Sequence, residues 1–278
     1  MIDLHIHSIA SDGALDLDKI LKIAKDKKLT NIAISDHDTV DKLKEIKEEN
    51  LSDINIIAAI EFGISVGESE AHILGYYIDV NDKDLNEMIR KSREDRYNKE
   101  DKYIENFSKI GIEIEKEKLE KYFKNGIFSR SYLADYLVDK GYCENKNEAF
   151  KKYLGKEGVC YVKKEYSSVE EIISTIKKAG GVAILAHPKT LKNDVLVEDI
   201  IRAGIDGLEV LNSKHKKEDV ISYLKLCDKY KLIYTAGSDC HGRIINGDYL
   251  LGNYIVSDKV LKRLKSLHEI RSKKINSI

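Results

Sequence analysis

Apolar and polar positions along this chain alternate between two rhythms. Runs at residues 2–6, 31–35, 54–60, 72–78, 182–186, 207–211 and 232–236 are short, rich in β-branched side chains and in several cases apolar throughout. Such runs predict strands buried on both faces. Between them, residues 16–28, 169–179 and 217–230 space their apolar side chains at three and four positions, which predicts amphipathic helices. Strand and helix alternating in this way predict an α/β fold, a parallel sheet covered by helices that closes into a barrel. From about residue 82 to 166 the rhythm changes. That stretch is highly charged, with Leu85, Met88, Ile89, Ile104, Phe107 and Ile110 at roughly helical spacing, followed by FSRSYLADYLVDKGY and NEAFKKYL. It predicts a helical insertion, residues 82–166, capping the barrel, with residues 1–81 and 167–278 left to the barrel itself. No Pro-rich or Ser-rich linker flanks the insertion, so it is expected to pack tightly.

Charge narrows the function classes. The 278 residues carry a formal net charge of -1 with 34% charged side chains, so no overall basic field gathers nucleic-acid backbone, although a local basic pocket is compatible with this balance. The beginning of the sequence has neither the basic nor the apolar segment of a secretory signal, and no apolar run is long enough to span a bilayer. A cytoplasmic location is expected. Cys143, Cys160, Cys227 and Cys240 are far apart with no CxxC pair, which predicts reduced thiols and no thiolate zinc site.

The chemistry gathers at the ends of the apolar runs. Residues two apart on a strand share a face, so His5 and His7 project together from the end of the first strand. TAGSDCHG repeats the device after the last strand with Asp239 and His241. His37 follows the second strand between Asp36 and Asp38, Glu61 follows the third, His72 opens the fourth and His187 follows the fifth, while Asp12 sits in a Ser-Asp-Gly turn. Loops at the carboxyl ends of such strands converge, so these donors are expected to meet. Nine donors exceed the needs of one tetrahedral ion and call for two or three divalent ions, with zinc, manganese and iron all suited to mixed imidazole and carboxylate ligation. Clustered ions hold an anionic substrate, bring a bridging water toward neutral pKa and stabilise a leaving oxygen, which is the chemistry of phosphate-ester hydrolysis. Elsewhere, His268 is expected to face solvent from a basic tail, Cys240 to fill a buried space, and Asp36 and Asp38 to orient imidazoles or cap the next helix.

Taken in order, HIHSIASDG, SDHDT, the glutamate after the third strand, HILGYYI, LAHP and GSDCHG resemble the PHP family, the polymerase and histidinol phosphatase domains. Within it they resemble the stand-alone phosphoesterases that act on nucleotides. The resemblance covers essentially the whole chain. It implies a distorted (β/α)7 barrel with a trinuclear catalytic centre. One ion is then held by His5, His7, Glu61 and Asp239, a second by Asp12, His37 and His241, and a third by His72 and His187 with Glu61 bridging. Asp12 stands where some relatives have histidine. For substrate binding, FSRSYLADYL matches a GRPH-like motif at Arg130, YVKK matches a YVPK-like motif at Lys164 with Lys163 in place of proline, and His215 in EVLNSKHKKED matches a histidine near the phosphate. The implied activity is hydrolysis of a nucleotide phosphomonoester by a metal-bridging hydroxide. A nucleoside 3',5'-bisphosphate is the leading substrate and short RNA 5' ends a further one, with neither a membrane nor an obligatory protein partner. Histidinol-phosphate phosphatase is the competing activity, although its free amine calls for an acid where Arg130 stands. A non-catalytic module binding metal or nucleic acid is the reading from another class.

Overall fold

The computed structural model describes residues 1–46, 54–66, 69–123, 128–162 and 167–275, without the side chains of 95–97. Seven strands form one sheet: β1 (Ile2–Ile6), β2 (Asn31–Ile34), β3 (Asn55–Val66), β4 (Ser69–Tyr76), β5 (Val182–Ala186), β6 (Gly207–Leu211) and β7 (Ile233–Ala236). Their spatial order is their chain order. The segment after β7 returns to β1, where His7 N–H donates to the Cys240 carbonyl at 3.0 Å and Cys240 N–H to that of His5 at 3.4 Å. The sheet therefore closes nearly completely into a barrel. Cys240 itself is buried beside Ile6 and Ile34.

One strand runs against the rest. β4 is antiparallel to both β3 and β5, whereas the other neighbouring pairs are parallel. This corrects the expectation of an all-parallel sheet, and the reason is local. Only Gly67 and Glu68 separate β3 from β4 in sequence, while a parallel neighbour needs a crossover of a dozen residues or more. The reversal carries the first half of β4 to the barrel mouth, where His72 pairs with Gly63 and Ala186.

Helices cover this sheet: α1 (Leu17–Asp26), the single turn α2 (Asp41–Lys44), the start of α3 (Lys83–Lys109), and then α7 (Val169–Lys178), α8 (Asp194–Arg202), α9 (Lys217–Tyr230) and α10 (Asp258–Ile275). Asp16 and Ser168 cap α1 and α7 by accepting from Lys19 N–H and Glu171 N–H. Ile60, Phe62, Ile73 and Leu185 of the strands pack with Ile172, Ile176 and Ile200 of α7 and α8. Leu4, Ala59, Leu74 and Ile184 pack with Val260 and Leu264 of α10. Because α10 lies on the barrel, His268 is half-buried and not solvent-facing as expected: its Nδ1–H donates to the Gly180 carbonyl at 2.9 Å and its ring stacks on Tyr77. No described helix is long and apolar enough to cross a membrane.

The chain divides into two compact units, Met1–Ile89 with Tyr166–Ile278, and Arg90–Glu165. The apolar stripe of α3 is divided accordingly. Leu85, Met88 and Ile89 belong to the barrel's core, whereas Phe107 packs with Tyr103, Leu133, Leu137 and Leu154 in the core of the second unit. That second unit is helical, with the rest of α3 followed by α4 (Lys116–Leu119), α5 (Arg130–Asp139), α6 (Lys146–Ala149) and a wide turn at Phe150–Leu154.

Candidate metal centre

Strand ends position the donors. His5 lies in β1 and His7 follows it, both on one face of the strand and both fully buried. Gly237, after β7, passes so close that a Cβ there would meet the Cβ of His5 at 2.2 Å, so only glycine lets the two segments approach. Asp239 and His187 adopt left-handed backbone, with φ of 52° and 26°. For histidine this is strained, and such strain collects at sites that the surrounding structure holds firmly.

Glu61 is the hub. Its Oε2 lies 3.3 Å from His5 Nε2, 3.2 Å from His7 Nε2 and 3.3 Å from His37 Nδ1. Its Oε1 lies 3.1 Å from His72 Nδ1 and 3.2 Å from His187 Nε2. Around this hub three sets of donors come within 4.8 Å of one another: His5, His7, Glu61 and Asp239; His7, Asp12, His37 and His241; and His37, Glu61 and His72. The first set is buried, while Asp12 and His241 keep side-chain exposures of 34% and 25%. His187 joins through its contact with Glu61.

The donors fit metal ions better than they fit one another. His5 Nε2 and His7 Nε2 face each other at 3.1 Å in full burial. That contact is a hydrogen bond only while one of the two nitrogens carries the proton and the other a lone pair. His7 Nδ1 is buried with no hydrogen-bond partner, and buried polar atoms rarely remain so. Imidazole and carboxylate donors converging in this way suit divalent cations.

The electrostatics divide the imidazoles. Burial opposes a charge on His5, but Glu209, Glu61 and Asp239 outweigh it and hold this imidazole well above its ordinary value. Burial likewise opposes His7, yet hydrogen bonds to Asp239 and Glu61 raise it to about 10. For His37 burial prevails over Glu61 and Asp12, and its pKa falls well below the ordinary value. Glu61 and Asp239 are also disfavoured by burial, but the neighbouring imidazoles, with Lys214 at Asp239, keep both carboxyls well below the carboxylate range.

Two further residues shape the donors and escaped the sequence reading. Glu209 of β6, fully buried, accepts from His5 Nδ1–H and His187 N–H, both at 2.9 Å, and from Asn212 at 3.0 Å. It thereby leaves His5 Nε2 as the free donor atom. The signal was a lone acid inside the apolar run GLEVL. Lys214 donates to Asp239 Oδ2; its neighbour His215 had drawn the attention. His241 is fixed similarly, its Nδ1–H donating to the Asp239 carbonyl at 2.9 Å. Asp36 accepts from Ser8 N–H, Ser8 O–H and Ser11 O–H, which pins the loop that carries Asp12.

The expected substrate contacts differ in their surroundings. Arg130 opens α5 in the helical unit, where its guanidinium lies 6.0 Å from the ring centres of both Phe150 and Tyr161. Lys164 lies outside the described residues. His215 gives its Nδ1–H to the Val210 carbonyl at 2.8 Å, and its Nε2 is sealed without a partner beside the Tyr223 ring. In this conformation neither ring nitrogen of His215 is free for a phosphate, one being sealed and the other committed to Val210.

The PHP domain profile matches residues 3–184. The chain belongs to the PHP domain family. This PHP domain is 31% identical to the 3',5'-nucleoside bisphosphate phosphatase of Chromobacterium violaceum over 257 residues, 86% of this chain and 87% of that one. It is 29% identical to the 5'-3' exoribonuclease Rnm of Escherichia coli, covering 86% and 84% of the two chains. A Bifidobacterium adolescentis structure assigned as a metal-dependent phosphoesterase aligns over 96% of each chain, with 25% identity and a TM-score of 0.81. The PHP domain described here is accordingly a phosphoesterase, a hydrolase of phosphoric ester bonds, and its His, Asp and Glu clusters could hold divalent metal ions.

Proposed function

We propose that this PHP phosphoesterase removes one phosphate from a nucleotide carrying two, a nucleoside 3',5'-bisphosphate, and that short 5'-phosphorylated RNA is a further substrate. The observation that carries the reading is the hub at Glu61, where five imidazoles meet one buried carboxylate beside an open rim. In this reading His5, His7, Glu61 and Asp239 hold one divalent ion, Asp12, His37 and His241 a second, and His72 and His187 with Glu61 a third, manganese, zinc or iron being suited. When bound, such ions supply Lewis acidity and an activated water near neutral pH. The chain's own residues do the remaining work. Glu209 aims His5, Lys214 anchors Asp239, and the tight passage at Gly237 brings both onto one side of the barrel mouth. Arg130 and Lys164 are proposed as phosphate contacts on motif alone. Likeness to a bisphosphate phosphatase and an exoribonuclease across most of each chain supports this substrate class over histidinol phosphate.

The test is phosphate release by manganese-loaded protein from adenosine 3',5'-bisphosphate, AMP, histidinol phosphate and a short 5'-phosphorylated oligoribonucleotide. The bisphosphate is expected to give the highest kcat/KM. Faster release from histidinol phosphate would overturn the reading.

A further inference from the structure

Beside the rim donors lies a cavity of about 310 Å³ whose walls have two characters. On one side it meets Asp12, Asp239 and His241 of the metal centre, and on another Ser213, Lys214 and Arg243. Ile245 and Leu250 supply an apolar wall. Lys214 is already committed to Asp239, although 43% of its side chain stays exposed. Arg243 is exposed, and among the described residues it has no carboxylate within ion-pair distance. A guanidinium without a counter-charge, on the wall of a cavity shared with metal ligands, is placed to meet an anion.

Its position is well supported. Gly242, at φ +74°, turns the chain where a Cβ would meet Leu15 at 2.6 Å. Arg243 then leads into a small hairpin, β8 (Ile244–Ile245) and β9 (Asp248–Tyr249), closed by Asn246 and Gly247 in left-handed conformation. Lys27 of the α1 C-cap ties the hairpin down, donating to Asp248 at 2.6 Å and to the Tyr249 carbonyl at 2.7 Å.

We propose that Lys214 and Arg243 form a second phosphate subsite, which selects nucleotides bearing a phosphate besides the one hydrolysed, with Ile245 and Leu250 against the sugar or base. The inference rests on the bisphosphate reading above. Ser213 adds a hydroxyl donor. A single phosphate at the metal centre leaves this subsite empty, whereas a bisphosphate fills both.

The experiment combines binding with turnover. Adenosine 3',5'-bisphosphate, AMP and inorganic phosphate are titrated calorimetrically into the metal-free chain as wild type, Arg243→Ala, Arg243→Glu and Lys262→Glu, the last changing charge by the same amount at a distance from this cavity. Arg243→Ala is expected to weaken bisphosphate binding about tenfold, Arg243→Glu more, and Lys262→Glu not at all. The kcat/KM preference for bisphosphate over AMP should fall by a similar factor in manganese-loaded Arg243→Ala with undiminished metal content. Unchanged bisphosphate affinity and preference in both Arg243 variants would overturn the subsite. Equal losses for inorganic phosphate and bisphosphate would overturn selection of a second phosphate. If the wild type binds the bisphosphate through Arg243 but releases no phosphate from it, the subsite stands and the substrate reading falls.

Discussion

The inner and outer donors of this centre use the same residue types in different surroundings. His5, His7 and Glu61 are sealed from water and Asp239 is nearly so, whereas Asp12 and His241 keep a quarter to a third of their side chains open. A sealed carboxylate among imidazoles has no solvent to screen it, so its neighbours set its charge and it sets theirs. At the rim, water shares that task. The inner set is therefore expected to act as one unit, and the outer set to tolerate single losses.

Substitution at the hub has the largest expected effect. Glu61→Gln should lower kcat/KM by more than about a thousandfold and release more than one equivalent of metal by elemental analysis, because two of the three proposed ions share this carboxylate. Asp12→Ala should cost about a hundredfold and release a single equivalent, with the unfolding temperature of the metal-free chain nearly unchanged. Equal metal loss in the two variants would erase the distinction. Glu209→Gln tests the support behind the inner set, with metal affinity expected to fall about 10–100-fold.

Acidity separates the two sets more gently. In the metal-free chain the surrounding carboxylates hold His5 well above its ordinary value and His7 up at about 10, whereas burial holds His37 well below it. Ligation needs neutral imidazole, so filling the inner set expels protons and its affinity drops steadily as pH falls from about 9 to 6. The His37 donor gives up no proton over that range. Proton release on adding manganese to weakly buffered protein measures the difference, and none at pH 8 would contradict it. Smallest in reach is Arg130→Ala, expected to raise KM about tenfold while leaving the metal content of both sets intact.

Much of this was legible because strand geometry is periodic. His5 with His7, and Asp239 with His241, announce a shared direction through spacing alone, and apolar runs locate β1, β5 and β6 to the residue. The direction of β4 was missed because the expected strand began at His72, although three of its residues precede that histidine and the connection from β3 is too short for a crossover. Glu209 was hidden by the apolar strand around it, and Lys214 by an adjacent histidine. Arg243 follows a ligand motif without belonging to it, and only the hairpin's fold brings its side chain beside the rim.

The bridge from Cys240 to β1 also orders events during synthesis. A ribosome makes His5 and His7 first and Asp239 after six further strands, so a nascent chain holds an incomplete chelator for most of its elongation. In the proposed ligand set the fourth donor arrives only once the segment after β7 has emerged, which couples completion of that set to barrel closure.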